Sequence, residues 1–466
     1  PSPSSYYFRC VIRKRDFFIQ NREPLTRDDI YKKASLPMVL AVERLEPVSR
    51  GPLPAKLCNI ERLRHAMSAR NLDGIIATTD LNVFYLSSFN SIAHKSDEPR
   101  PYAVILSRNA LEHPIAVIAD YYLSSFVAQP SWVQDIRPFR AVMMGLDSEP
   151  QADDIERFIP ESGKNLSWIN KARENYVFNM TSAIAEALKE LGLDKGRIAF
   201  DDMAFGYRLG LNDIEIVDGY DPLMFARAIK SADELVLIER AQRLNQAAIE
   251  HIISNWQAGM SWRDLNRAYH LAATALGGFV RDPGAMVWGH PRGDDAVHTL
   301  QTGLEDFEIQ TGQHIMFDCH GTIDRYCWDG GKTWVVNSEP KGPAKLYAKA
   351  TADVAEAVLS AMRPGTRISE LQALGRKVYR QAGVPEPDRA LIFFHGLGLS
   401  HMDIEINRAD GVANHDWALE EGMVVPLHLL YPGGENERLW LEEVAAITPD
   451  GGRPLFSWGF DPICGN

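Results

Sequence analysis

Two periodicities alternate along this chain. From Ala55 onward, stretches with helical spacing of apolar positions, NIERLRHAMSARNL and NMTSAIAEALKELG, are interleaved with short apolar runs of strand character, DGIIATT, PYAVILS, HPIAVIADYY and RIAFD. Interleaving of this kind predicts a sheet covered by helices, an α/β arrangement. Further on, Ser231 and Glu234 have the spacing of a capping box. Apolar residues then recur at Leu235, Ile238, Ala241, Ala248 and Ile252, so a long amphipathic helix is expected to begin there.

The second half of the pattern repeats. Ile253, Gly259, Asp264, Leu265 and Gly277 correspond to Leu359, Gly365, Glu370, Leu371 and Gly383 at a constant offset of 106. In each copy a helix ends at a glycine, a polar turn follows, and a new helix runs to another glycine. The shared grammar predicts a duplicated helix-helix-strand unit, two halves about a pseudo-twofold axis with a cleft between their sheets.

A length of 466 residues exceeds a single typical core, and three segments are expected: an extension over 1–54, an α/β domain over 55–224 and a second domain over 225–466. The extension mixes basic residues, prolines and isolated aromatics, as a loosely packed arm would. With 49 Lys and Arg against 62 Asp and Glu, the net charge is −13, which argues against nucleic acid or anionic lipid as partners. Five scattered cysteines form no CxxC pair, as expected in a reducing compartment. No apolar run is long enough to span a bilayer. The first 37 residues lack a signal-type apolar core and carry Asp16, Glu23, Asp28 and Asp29, so the expected location is cytoplasmic.

The candidate chemistry lies in the last third. Asp318 and Asp329 sit eleven positions apart in IMFDCHGTIDRYCWDGGKTWVV, followed by His395 in FFHGLGLSH, His428 in GMVVPLHLLYP and Glu442 in RLWLEEVAAIT. Carboxylates and imidazoles on short apolar segments suit one or two divalent cations. Asp318 ends one apolar run and Asp329 precedes another, which suggests adjacent strands of a hairpin. Glu442 and Glu443 point to opposite faces of a strand, so only one of them can reach a shared ion.

These segments resemble the signatures of the pita-bread fold family, which includes methionine aminopeptidase, aminopeptidase P, prolidase and creatinase. DCHGTIDRYCWD is similar to its D-x-G…Y-x-S-D segment, HGLG to its H-G-x-G segment, EEGMVVPLHLLYP to its E-P-G-M-V-x-x-x-E-P strand, and WLEEVAAIT to its final R-x-E-D strand. DLNVFYLSSFN and ARAIKSADELVLI resemble the N-terminal domain and interdomain motifs of the same family. The resemblance implies a two-domain α/β (α+β) fold with an N-terminal creatinase-like domain and a C-terminal pita-bread domain. It also implies a homodimer and a site for one or two divalent ions, Mn, Zn or Fe. Asp318 would then be a terminal ligand, Asp329 and Glu442 would bridge, and His395 would hold the second ion.

The chain departs from that pattern in several places. His428 stands where the family carries a glutamate ligand, which removes one negative charge and favours a softer ion; it could instead be a core histidine. Because imidazole must be neutral to bind, affinity at such a site is expected to fall through the histidine pH range. Cys319 and His320 replace x-Gly after Asp318, and His320 is a candidate ligand or substrate contact. His298, with His290 as a competitor, is near the position of a histidine that donates to the substrate or leaving group. His401 follows His395 by six residues rather than the usual seven and is a further candidate for that role. Only PGGENER separates the last two strands. So short a turn makes a dedicated peptide site less expected, and it resembles members acting on small polar molecules, such as dimethylsulfoniopropionate lyase and ectoine hydrolase. Tryptophans Trp288, Trp328, Trp334, Trp417 and Trp440 crowd these motifs; most are expected in the core, with one or two available to hold a cationic or apolar group. The implied function is hydrolysis of a C–N bond in a small polar substrate or Xaa-Pro-type dipeptide by metal-activated water. A metal-dependent lyase and a catalytically inactive binding protein are the alternatives.

Overall fold

A computed structural model describes residues 45–90, 102–141, 151–280, 307–403, 416–434 and 436–465 with their side chains, and 286–289 as backbone. Residues 1–44 of the extension, His290, His298 and the Trp288 side chain lie outside the described residues. What is described of the extension is tied down. Val48 N donates to Leu276 O at 2.9 Å, and the Arg50 guanidinium donates to Gly277 O.

The first sheet is built from the runs read as strands: β1 (Gly74–Ala77), β2 (Tyr102–Ser107), β3 (Ile115–Ala119), β4 (Asp135–Phe139), β5 (Arg197–Phe200) and β6 (Glu215–Asp218). Their order is β4-β3-β2-β1-β5-β6, parallel except where β2 meets β1 and β3. β1, β2 and β3 are buried along their whole length, which is why they read as continuous apolar runs rather than as alternating ones. Helices such as Ile60–Ala69 and Met180–Glu190 cover them, each with an asparagine N-cap, Asn59 and Asn179.

The helix expected at Ser231 runs Ala232–Ser254, with Ser231 and Glu234 in a reciprocal capping box. A second helix, Trp262–Ala275, leads into β7 (Phe279–Val280), β8 (Met286–Gly289), β9 (His314–Asp318), β10 (Gly321–Ile323), β11 (Tyr326–Trp328) and β12 (Gly331–Val336). Helices Ala344–Ala361 and Ile368–Ala382 then precede β13 (Leu391–Phe394), β14 (Val424–Tyr431), β15 (Leu439–Thr448), β16 (Gly451–Pro454) and β17 (Ile463–Gly465). The large sheet has the order β13-β14-β15-β12-β9-β8, with β16 on β15 and β17 on β12, while β11-β10-β7 form a small separate sheet.

The duplication is visible in this layout. Ser261 and Arg367, 106 apart, both occupy helix N-caps, where their backbone N–H groups donate to Asp264 and Glu370 respectively, and Ser261 Oγ also accepts from Asp264 N. Past the helices the offset grows to 110. Gly312 and Gly422, at φ 86° and 85°, turn the chain into β9 and β14, and each donates its N–H to a strand carbonyl, Val336 O and Ile447 O respectively. By that offset Asp318 of the first half is the counterpart of His428 in the second. The halves meet where β12 pairs β15, with Gly331 opposite Glu442. A Cβ on Gly331, at φ 150°, would lie 2.7 Å from Phe317 O, so glycine is what lets β9, β12 and β15 close up here.

Asp318 and Asp329 do flank one antiparallel pair, β9 with β12, but not as a simple hairpin. The chain between them folds into a hairpin of its own, β10–β11, turning through Asp324 and Arg325 at φ 51° and 71°. That turn is held from both sides. Arg325 pairs with Asp80 next to the first sheet, and Asp324 accepts from Arg240 at 2.6 Å.

Glu234 makes the fold sensitive to pH. It is 2% exposed and accepts from Ser231 N at 2.9 Å and from the Tyr326 hydroxyl at 3.0 Å; burial pushes its carboxyl up to about 7. The folded carboxyl therefore holds its proton between about 4.5 and 7 while the unfolded chain releases it, so stability falls as pH rises across that window. The shift corresponds to about 3 kcal/mol. Glu234→Gln should flatten the decline of melting temperature between pH 5 and 8 relative to the wild type. Parallel curves for the two proteins would show that Glu234 is not the group responsible.

Candidate metal centre

Four strands and one loop bring the candidate donors together. Asp318 ends β9, Asp329 lies two residues before β12, and His428 and Glu442 face each other in register across β14 and β15. His395 follows β13 directly, and His401 is on the turn after it. Glu442, not Glu443, faces the cluster. Glu443 points to the opposite side and accepts the N–H groups of Leu455 and Phe456, each at 3.1 Å.

Asp329 Oδ2 lies 2.9 Å from His401 Nε2 and 3.4 Å from His395 Nε2, and Glu442 Oε1 lies 2.9 Å from His428 Nε2. The donor atoms of Asp318, Asp329 and Glu442 lie within 4.8 Å of one another, as do those of His395, His428 and Glu442, and those of His320, Asp329 and His401. His320 is not on a strand, since β9 ends two residues earlier, yet it shares the cleft with the rest. His401 reaches Asp329 despite the six-residue spacing.

Three carboxylates this close cannot all be ionised easily. Burial, reinforced by the charge of Asp329, pushes Asp318 up to about 7. Burial and the charges of Asp329 and Asp318 push Glu442 well above the ordinary carboxylate range. Burial opposes ionisation of Asp329 too, but His401, 2.9 Å away and able to carry a positive charge, holds it well below that range. Burial lowers His395 and, further, His428, keeping both imidazoles neutral.

The supporting groups lie outside the segments that carry the metal-ligand candidates. On the helix Ala232–Ser254, the Gln242 amide donates to Asp329 O at 2.9 Å and accepts from Asp329 N at 3.2 Å, with its nitrogen turned toward that carbonyl. Asn245 donates to the carbonyls of Gly330 and Asp329 at 3.0 and 3.3 Å; it accepts from the Tyr269 hydroxyl at 2.7 Å, which in turn accepts from the Trp328 indole at 2.9 Å. The loop carrying His395 is fixed by Asp403. Asp403 is 2% exposed, pairs with Arg227 at 2.6 Å, and takes up the space beside Gly398 that a Cβ would need. Arg227 also donates to Asn82 at 2.8 Å, so the RAIKS and DLN segments join the first sheet to the His395 loop.

Around His428 the wall is aromatic. Phe393 stacks on its ring at 4.0 Å and is 41% exposed, and Trp440 meets it edge-on at 5.6 Å. Trp328 and Trp334 are core residues, as are Cys319 and Cys327.

Do these residues fit a cation? Among the described residues, Asp329 Oδ2, both Glu442 oxygens and His395 Nε2 are buried without a hydrogen bond of good geometry. Orphaned buried acceptors of this kind are costly unless something positive sits among them. The donor set of carboxylates and imidazoles fits a divalent ion.

Residues 236–449 match metallopeptidase family M24. They form an M24 metallopeptidase domain. The uncharacterized peptidase YqhT of Bacillus subtilis (strain 168) is 23% identical over 85% of this chain and 97% of its own length. Among solved structures, a dipeptidase from Pyrococcus horikoshii OT3 superposes with a TM-score of 0.63 at 18% identity, covering 87% of this chain and 99% of that one. An Xaa-Pro dipeptidase from Bacillus anthracis gives 0.61 at 19%, covering 87% and 98%. The likenesses to solved structures show the pita-bread architecture, and the family match supports a metallohydrolase. Members of the M24 family use divalent metals, and the cluster lies on the strands and loop of this domain.

Proposed function

We propose that this M24 protein is a metal-dependent hydrolase that cleaves a C–N bond in a small polar substrate or an Xaa-Pro-type dipeptide. The observation that carries the reading is the convergence of Asp318, Asp329, His395, His428 and Glu442, in which Asp329 Oδ2, both Glu442 oxygens and His395 Nε2 are buried without a hydrogen bond of good geometry. These five residues would hold one or two divalent ions, with imidazole content tilting the choice from manganese toward zinc or iron. A cation held there supplies Lewis acidity and an activated water.

The protein's own groups supply the rest. His395 and His428 are kept neutral by burial, so they offer lone pairs rather than protons. His401, 45% exposed at the cleft and 2.9 Å from Asp329, is positioned to carry a proton on Nε2 to a leaving nitrogen. His320 borders the same space, and His298 is a further candidate for proton transfer. Phe393, 41% exposed and backed by the buried Trp440 through His428, offers an apolar face for a substrate side chain or cationic group. β14 and β15 pair without interruption from Tyr431–Leu439 inward, so only a short turn flanks this wall, which favours a compact substrate. In this reading residues 225–466 are the catalytic unit, residues 55–224 support it, and the protein works as a homodimer in the cytoplasm. Among the described residues no helix is long and apolar enough to cross a membrane, and Cys58, Cys319, Cys327 and Cys464 are free thiols.

The test combines elemental analysis of the purified protein with a screen of Xaa-Pro dipeptides, creatine-like and cyclic amidines, and sulfonium propionates in isotopically labelled water. Bound divalent metal and label in the product are expected. Turnover without label would assign a lyase instead, and absence of both metal and turnover would leave a binding protein.

A further inference from the structure

We infer that His320, His401 and Asp329 form a second imidazole-rich cation position beside that of His395, His428 and Glu442. The cleft then offers two triads, each of two histidines and one carboxylate. The inference rests on the metal-dependent reading above and goes beyond it: neither His320 nor His401 is among the five donors invoked there, and with an ion at this position His401 is a ligand and no longer the proton donor.

Four imidazoles stand in a continuous row. Ring centroids are 5.1 Å apart from His320 to His401, 4.8 Å from His401 to His395, and 4.9 Å from His395 to His428. The carboxylates run alongside this row, Asp329 near one end and Glu442 near the other. Asp329 and Glu442 each belong to one triad, and with Asp318 they also form the carboxylate group between the triads, all within 4.8 Å. Asp329 is fully buried and its Oδ2 faces His401, so a negative oxygen is fixed on the inner side of the proposed position. His401, on the exposed side, leaves that position open to the cleft.

Two neutral imidazoles and one carboxylate leave a bound divalent ion with a net positive charge and room for a further ligand, the donor set of open catalytic zinc sites and of non-haem iron(II) sites. Such a set prefers zinc to manganese more strongly than carboxylates do. His428 in place of a carboxylate makes the inner position a triad of the same composition, so both positions select the same class of ion.

The experiment is zinc titration of the chelator-stripped protein in competition with a chromophoric chelator, repeated with cobalt(II) read by its visible absorption, on wild type, His320→Ala and His401→Ala. Circular dichroism confirms folding of each; His401 is half-exposed, so its replacement is the safer of the two variants. One equivalent fewer bound by each variant than by the wild type, with the cobalt spectrum losing one component, is the expected result. The same number of equivalents in the wild type and both variants, or a wild type that binds only one, would overturn the second position while leaving the metal-dependent function intact. A wild type that binds no zinc or cobalt would overturn both.

Discussion

Replacing Asp329 by asparagine abolishes turnover and strips bound metal from a protein that still folds. Asp329 is fully buried, lies within donor reach of three imidazoles, those of His320, His395 and His401, and of two carboxylates, and is held ionised by His401. An amide keeps the shape but removes the charge, leaving the cluster one negative charge short. Loss of residues that merely support metal ligands costs about 10- to 100-fold, so loss of this carboxylate should exceed about 100-fold in activity. Folding should survive, because the backbone of Asp329 stays anchored by Gln242 and Asn245 through its peptide groups rather than its carboxylate. Elemental analysis and melting temperature on the same Asp329→Asn sample decide the matter. Unchanged metal content and turnover in a folded sample would remove Asp329 from the site.

That division between carboxylate and backbone also explains what could be read from the sequence. Asp318, Asp329, His395, His428 and Glu442 are chemically distinctive residues in apolar strands, where a charge has no structural reason to be, and the structure brings all five together. Gln242 and Asn245 were not found, since amides that grip a peptide group need no motif. A signal was present nonetheless: both interrupt the buried stripe of Ile238, Ala241, Ala248 and Ile252 on one helix, and polar residues on such a stripe need partners inside. The Asp403 clamp was hidden for another reason. Asp403 pairs with Arg227 across 176 residues and Arg227 reaches Asn82 across a further 145, a closeness only the tertiary fold creates. The repeat was legible in its helices at an offset of 106, whereas its functional consequence, Asp318 matched to His428, appears only at 110 because the strands carry a different insertion.

His428→Ala should lose metal and activity together, whereas His428→Glu should keep metal, shift its preference toward manganese, and make binding more sensitive to acid. His428 Nε2 is 2.9 Å from Glu442 Oε1 and faces the cluster, and its ring is clamped by Phe393 and Trp440. The clamp fixes the ring whether or not an ion binds, so the alanine variant also leaves a void and a changed partner, costing about 1–3 kcal/mol of stability. Metal content is therefore the deciding readout, and full occupancy in folded His428→Ala would make the residue structural. The pH argument differs from the one the residue type suggests. Burial holds His428 well below the ordinary histidine range, so protonation of its imidazole does not compete with an ion at moderate acidity. The protons to be displaced sit instead on the carboxylates, Asp318 at about 7 and Glu442 well above the ordinary carboxylate range. Affinity should thus weaken as pH falls through about 7, as these groups take up protons that an ion must expel. A fourth acidic side chain in the cluster, placed beside Glu442, would have its pKa raised by the same burial and like charge, adding another proton to displace. Zinc affinity measured from pH 8 to 5.5 should consequently fall more steeply in His428→Glu than in the wild type; a steeper fall in the wild type would mean that the imidazole itself titrates in this range.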